Sequence, residues 1–160
     1  ALGISLEVIQ AGIAALRTIA GRTNLIQTDS LLIIDDCYNA NPISTMSSLD
    51  ILATAKGRTV AVLGDMFELG TNEKELHYNT GAHASQDKID VICCIGELSQ
   101  NTYEGAKAYA DRNSILYFKT KQEFLAKFPN VIKKGDTVLV KASHSMEFPE
   151  IVETLQQWKL

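Results

Sequence analysis

Five short apolar runs, separated by polar stretches with helical spacing, constrain this chain more than anything else in it. Leu31–Ile34, Thr59–Leu63, Ile89–Ile95, Ile115–Phe118 and Thr137–Lys141 are each bounded by turn residues. Short continuous runs of this kind are the pattern of strands buried on both faces. The stretches between them, Met46–Ala55, Asn72–Gln86, Ser99–Ala110 and Lys121–Phe128, read as helices. A closing helix carries Ile151, Val152, Leu155 and Trp158 on one side. Strands alternating with helices of about a dozen residues predict an α/β fold, a doubly wound, mainly parallel Rossmann-like sheet of about six strands with helices on both faces. The sixth strand comes from Thr23–Gln27, which Thr28-Asp29-Ser30 separates from the first central run as a hairpin or edge strand. Residues 5–19 place Leu6, Val8, Ile9, Ile13, Leu16 and Ile19 on one helical face, with Ser5 as N-cap and Gly21 as the stop.

A length of 160 residues suits one domain with a sizeable core. At 46% hydrophobic and 21% charged, the composition is that of a folded chain. A net charge of −4 argues against a nucleic-acid-binding surface, which needs a basic face. No apolar run approaches a membrane span, and Ala1-Leu2-Gly3-Ile4 does not open a secretory leader, so a cytoplasmic protein is expected. Cys37, Cys93 and Cys94 offer neither a disulfide framework nor a metal-ligand spacing. They read as reduced packing residues, the adjacent pair pointing to opposite faces of a strand.

In open α/β sheets ligands bind beyond the carboxyl ends of the strands. The first such crossover, Asp35-Asp36-Cys37-Tyr38-Asn39-Ala40-Asn41-Pro42-Ile43-Ser44, carries more polar groups than a connector needs, and Ser44 is available to cap the next helix. The second is Gly64-Asp65-Met66-Phe67-Glu68-Leu69-Gly70 and the last is Ala142-Ser143-His144-Ser145. These crossovers are expected to converge on one rim. No G-x-x-x-x-G-K-[ST], G-x-G-x-x-G or G-x-S-x-G motif is present. Ser145 and His144 are neighbours in sequence, a poor arrangement for a nucleophile and its own base. The chain therefore offers ligand contacts without a catalytic engine, as a binding module or as one part of a larger enzyme would.

The first two crossovers, with Val138-Leu139-Val140-Lys141-Ala142-Ser143 through Met146, resemble in order and spacing the C-terminal domain of the Mur ligases. Tyr38-Asn39-Ala40-Asn41-Pro42 is most similar to the member that adds D-Ala-D-Ala. The resemblance implies residues 23–160 as that domain and residues 1–22 as the helical tail of a preceding central ATPase domain, which carries the P-loop. It implies an ATP-dependent ligase of peptidoglycan synthesis that joins D-Ala-D-Ala to UDP-N-acetylmuramoyl-tripeptide through an acyl phosphate. ATP with Mg2+ is the implied cofactor, the metal held mainly by the central domain. Alternatives are a stand-alone nucleotide-binding module and the matching domain of a sister Mur or folylpolyglutamate-type ligase.

Carried onto this sequence, the resemblance places Asp36 at the ribose hydroxyls, for which a carboxylate is a natural acceptor. Capping the turn is the other reading of Asp36. Asn39 and Asn41 suit the adenine edge or turn-making, since a carboxamide both donates and accepts. Tyr38 stacks on a base or anchors its loop in the core, burial being preferred. Asp65 and Glu68 are candidates to orient the dipeptide ammonium. Ser143, Ser145 and Lys141 are candidates at the last loop, where free amides at a helix start suit a carboxylate and Ser145 is alternatively only the N-cap. His77 is a further substrate candidate, with a structural role preferred on a helix. No metal ligand or catalytic residue is assigned. Ala142, His144 and Ser145 stand where the commoner family pattern has Gly, Arg and Gly, so this loop lacks the usual guanidinium.

Overall fold

A computed structural model of the chain describes Ser5, Val8 and residues 21–86 and 89–159. Of the expected helix over 5–19, only Ser5 and Val8 are described; there the Val8 amide donates to Ser5 Oγ at 3.4 Å. The rest of that expectation lies outside the described residues.

The strands are β1 (Asn24–Gln27), β2 (Leu32–Asp35), β3 (Thr59–Gly64), β4 (Val91–Ile95), β5 (Ser114–Phe118) and β6 (Thr137–Lys141). The helices are α1 (Pro42–Ala53), α2 (Glu73–Gln86), α3 (Ser99–Ala108), α4 (Lys121–Lys127) and α5 (Pro149–Gln157). The sheet order is β1-β2-β6-β3-β4-β5. β1 is a hairpin partner, antiparallel to β2, and every other pairing is parallel. Thr28 makes the hairpin turn, its Oγ1 accepting the Leu31 amide at 2.8 Å.

Strand alternation divides the core into two layers. Val60, Val62, Cys93, Ile95, Val138 and Val140 face Phe124 of α4 and Ile151, Val152 and Leu155 of α5. Ala61, Leu63, Ile92, Cys94 and Leu139 face Leu49 and Leu52 of α1, Ala84 of α2 and Ala106 of α3. Each fully buried Val, Leu or Ile contributes roughly 1.5–3 kcal/mol relative to an exposed one. The neighbouring cysteines therefore serve different layers, as the alternation predicts. Burial pushes the Cys93 thiol up to about 12 and Cys94 well above the usual thiol range. Both stay protonated packing groups.

α2 and α3 cross at two glycines. A Cβ on Gly81 would lie 1.9 Å from the Thr102 carbonyl oxygen, and one on Gly105 would lie 1.9 Å from that of Tyr78. Only residues without a side chain let the backbones meet at this distance.

The start of α1 differs from the expectation. Asn41, not Ser44, is the N-cap: its backbone is extended and its Oδ1 accepts the Ser44 amide at 2.9 Å. Ser44 Oγ in turn accepts the Asn41 amide at 3.2 Å, which closes a capping box. Pro42 occupies the first turn, where its missing N–H costs nothing. Asn41→Ala should lose about 1 kcal/mol in urea unfolding; no measurable loss would mean that Pro42 alone sets the helix start.

The topology places the crevice. Chains leaving β2 and β3 pass to the α1–α2 layer, whereas the chain leaving β6, between them, passes to the α5 layer. Such a reversal of direction opens a cleft at the strand ends.

Candidate functional site at the strand-end rim

The loops after β2, β3 and β6 do converge. Tyr38, Asn39, Ala40 and Asn41 from the first, Phe67, Glu68 and Leu69 from the second and Ser143, His144 and Ser145 from the third line one cleft of about 530 Å3. A second cleft of about 530 Å3 adjoins it, sharing Tyr38, Asn39 and Asn41 and bordered by Arg22, Ser44, Ser47 and Lys141.

Beneath the clefts a buried ion pair ties the first loop to the last strand. Lys141 Nζ donates to Asp36 Oδ2 at 2.6 Å, and the two side chains are 2% and 11% exposed. The same ammonium reaches the carbonyls of Asn39 at 3.1 Å and Asp36 at 3.4 Å. Ser48 Oγ donates to Asp36 Oδ2 at 2.6 Å, and the Thr23 amide to Oδ1 at 2.9 Å. A carboxylate has about four acceptor sites. Those of Asp36 are all engaged, the weakest partner being Thr23 Oγ1 at 3.4 Å.

The neighbouring Asp35 is engaged too. Its Oδ2 accepts the Gly21 amide at 2.8 Å and its Oδ1 accepts the Cys37 thiol at 2.9 Å. Burial, then the hydrogen bond to Asp35, raises the Cys37 thiol far above its usual range. The Tyr38 amide donates to Gly21 O at 2.9 Å. The chain entering the sheet at 21–23 is thus bolted to both acids of the first crossover.

The second loop is pinned from two sides. The Met66 amide donates to His77 Nε2 at 3.0 Å, and the Phe67 amide to Ser143 Oγ at 2.9 Å. His77 Nδ1 lies 2.7 Å from the Glu73 carbonyl, so the acceptor at Nε2 requires the proton on Nδ1. Pinned in this way, the loop turns outward at Glu68, which has a left-handed φ of 61°. Asp65 points inward: its Oδ1 accepts the Ser99 amide at 2.7 Å at the start of α3. Gly96 makes room for it, with φ of 117° and space for no Cβ, which would fall 2.4 Å from Asp65 Oδ1.

The structure gives several of the expected site residues work within the chain. Asp65, Lys141, Ser143 and His77 are buried and hold the loops, Ser143 and Lys141 at the floor of the two clefts. Tyr38, expected in the core, is 50% exposed. The Arg22 guanidinium lies 4.4 Å over its ring and the His144 imidazole 5.8 Å from it. Ser145 caps no helix. It sits in a 3-10 turn, His144–Met146, and α5 begins later, at Pro149, without a side-chain cap. The amides of Ser143, Met146 and Glu147 are already donated to the Asp65, Ser143 and His144 carbonyls, which narrows the expected anion cradle. What remains exposed at the rim is Tyr38, Asn39, Asn41, Phe67, Glu68, His144 and Ser145, with Arg22 alongside. Arg22 carries one sequence signal, a basic residue directly after Gly21 and ahead of the first strand.

A sheet of this order, with a crevice built by these loops, defines a ligand-binding α/β domain of the Mur ligase kind. A family model described as "Mur ligase, glutamate ligase domain" matches residues 21–144, and the chain belongs to that family. Among its relatives, the UDP-N-acetylmuramoyl-tripeptide–D-alanyl-D-alanine ligase of Bacillus subtilis is 36% identical over 156 residues, covering 96% of this chain and 34% of that protein. A crystal structure of MurF from Acinetobacter baumannii matches with a TM-score of 0.86 at 30% identity, over 98% of this chain and 34% of that one. MurF ligase from Thermotoga maritima, solved in complex with ADP, matches with a TM-score of 0.76 at 29% identity, over 98% and 34%. The chain spans about a third of the length of these relatives.

Proposed function

We propose that this chain is the C-terminal domain of an ATP-dependent ligase that joins D-Ala-D-Ala to UDP-N-acetylmuramoyl-tripeptide in peptidoglycan synthesis. The observation that carries the reading is the cleft made by the loops after β2, β3 and β6, in a chain similar along nearly its whole length to ligases of that name. Residues 1–22 are the tail of a central ATPase domain, against which residues 23–160 pack. In the reaction the tripeptide carboxylate is activated as an acyl phosphate, and the dipeptide amine displaces phosphate.

This chain supplies half of the site. The second cleft, with Arg22, Tyr38, Asn39 and Asn41, faces the nucleotide. Asp36 shapes that face through the Lys141 pair, and a ribose hydroxyl reaches it by replacing only the 3.4 Å contact of Thr23 Oγ1. The first cleft takes the dipeptide, with Glu68 toward its ammonium. Closure of the rim over the central domain excludes water from the acyl phosphate. Among the described residues no three His, Cys, Asp or Glu side chains converge as a metal site, and Mg2+ belongs to the central domain in this reading. No described helix is long and apolar enough to cross a membrane; the setting proposed is the bacterial cytoplasm.

The test is phosphate release from ATP by the protein containing both domains, in the presence of the UDP-linked tripeptide and D-Ala-D-Ala. Turnover is expected only with all three substrates present, and none from the 160-residue chain alone. Ligation by the isolated chain, or turnover with a single amino acid in place of the dipeptide, would overturn the reading.

A further inference from the structure

The polar side chains around the first cleft fall into two groups. Asp36, Asp65, Lys141, Ser143, His77 and Asn41 all have partners within the chain. Glu68, His144 and Ser145 line the same cleft with no side-chain hydrogen bond or ion pair to the described residues. Apart from the Tyr38 phenol, Glu68 and His144 are the ionisable groups among the described lining residues, one on the loop after β3 and the other on the loop after β6. An acid and an imidazole on separate loops of one cleft, which Ala40, Phe67 and Leu69 also line, complement a zwitterion with short apolar side chains.

We propose that His144 is the residue that holds the carboxylate of the incoming dipeptide. The inference rests on reading this cleft as the dipeptide site. Other cations are committed or displaced: Lys141 is locked on Asp36, and Arg22 lies on Tyr38 and lines the neighbouring cleft. Of the amides before α5, those of Ser143, Met146 and Glu147 are already donated. An imidazole offers N–H donors suited to a carboxylate, and the Tyr38 ring packs beside it with centroids 5.8 Å apart. The charged and titratable groups about His144 are Glu68 on the facing loop, Tyr38 with its stacked Arg22, and Glu147 in its own turn. Glu147 is turned toward Lys121, at 3.7 Å.

The test uses the protein containing both domains and compares D-Ala-D-Ala with D-alanyl-D-alaninamide, which keeps the amine and lacks the carboxylate. His144→Gln should raise KM for the dipeptide roughly tenfold at about pH 6.5, with kcat, KM for ATP and KM for the amide within about twofold of the unsubstituted protein. His144→Arg, whose guanidinium also donates to a carboxylate, should keep the preference for dipeptide over amide within about twofold of the unsubstituted protein. Equal rises in KM for dipeptide and amide in His144→Gln, or no rise for either, would overturn the inference and leave the ligase reading standing. Failure of the unsubstituted protein to use D-Ala-D-Ala would overturn both.

Discussion

Lys141→Met is expected to cost about 3–5 kcal/mol of folding stability, the range for removing one partner of a buried ion pair. The loss comes from what remains rather than from the missing attraction. Asp36 stays under the loops with Ser48 and Thr23 as partners but no cation, and the Asn39 carbonyl loses its donor. Urea unfolding of the chain measures it. Lys121→Met is the control, because that lysine is also buried but pairs with Glu150, whose side chain is 53% exposed. Water can take over from that partner, so the charge part of the loss should stay under about 1 kcal/mol. Adding Asp36→Asn to Lys141→Met should recover part of the stability, since the amide keeps hydrogen bonds without a charge. Equal losses for the two lysines would show that the Asp36 pair is not the source.

Gly81→Ala should be the second large effect. In an exposed helix that change gains about 1 kcal/mol. Here the new methyl would meet the Thr102 carbonyl of α3, a backbone atom that cannot rotate aside. Overpacking of this kind costs about 1–3 kcal/mol and sometimes more, and a 1.9 Å approach forces the helices apart along their contact. With the 1.9 Å approach taken at the upper end of that range, a net loss of roughly 2 kcal/mol is expected after the propensity gain, and Gly105→Ala should behave alike. Asn79→Ala, on the exposed side of α2, should leave stability unchanged or slightly raised. Stabilisation by Gly81→Ala would mean that the two helices can separate without loss.

The architecture was legible because the inner strands β2, β6, β3 and β4 are buried on both faces, which leaves runs of apolar residues with little polar interruption. Leu31–Ile34, Thr59–Leu63 and Thr137–Lys141 needed no tertiary information to be read as strands. Convergence of the loops followed from the parallel order. The roles of individual polar residues did not follow, because their partners are remote in sequence. Nothing near Asp36 announces that Lys141, 105 residues later, neutralises it. Nothing near Asp65 shows that it serves the first turn of α3. The start of α1 was recoverable: Asn-Pro ahead of a helix with Ser at the third position is a capping pattern, and preferring Ser44 overlooked it. Tyr38 was assigned to the core by its type, yet Arg22 and His144 support it at the surface.

The last strand in the chain is not the last in the sheet. β6 lies between β2 and β3, so the β1–β2 ribbon and the β3–β4–β5 block share no ladder until residues 137–141 arrive. On a ribosome, both pieces would wait with unpaired inner edges while the remainder is synthesised. Such edges are the ones prone to pairing with other chains. Joining β2 to β6 also closes a loop of more than a hundred residues, an entropic cost met before the contacts reward it. Completion of the rim and completion of folding are thereby the same late event.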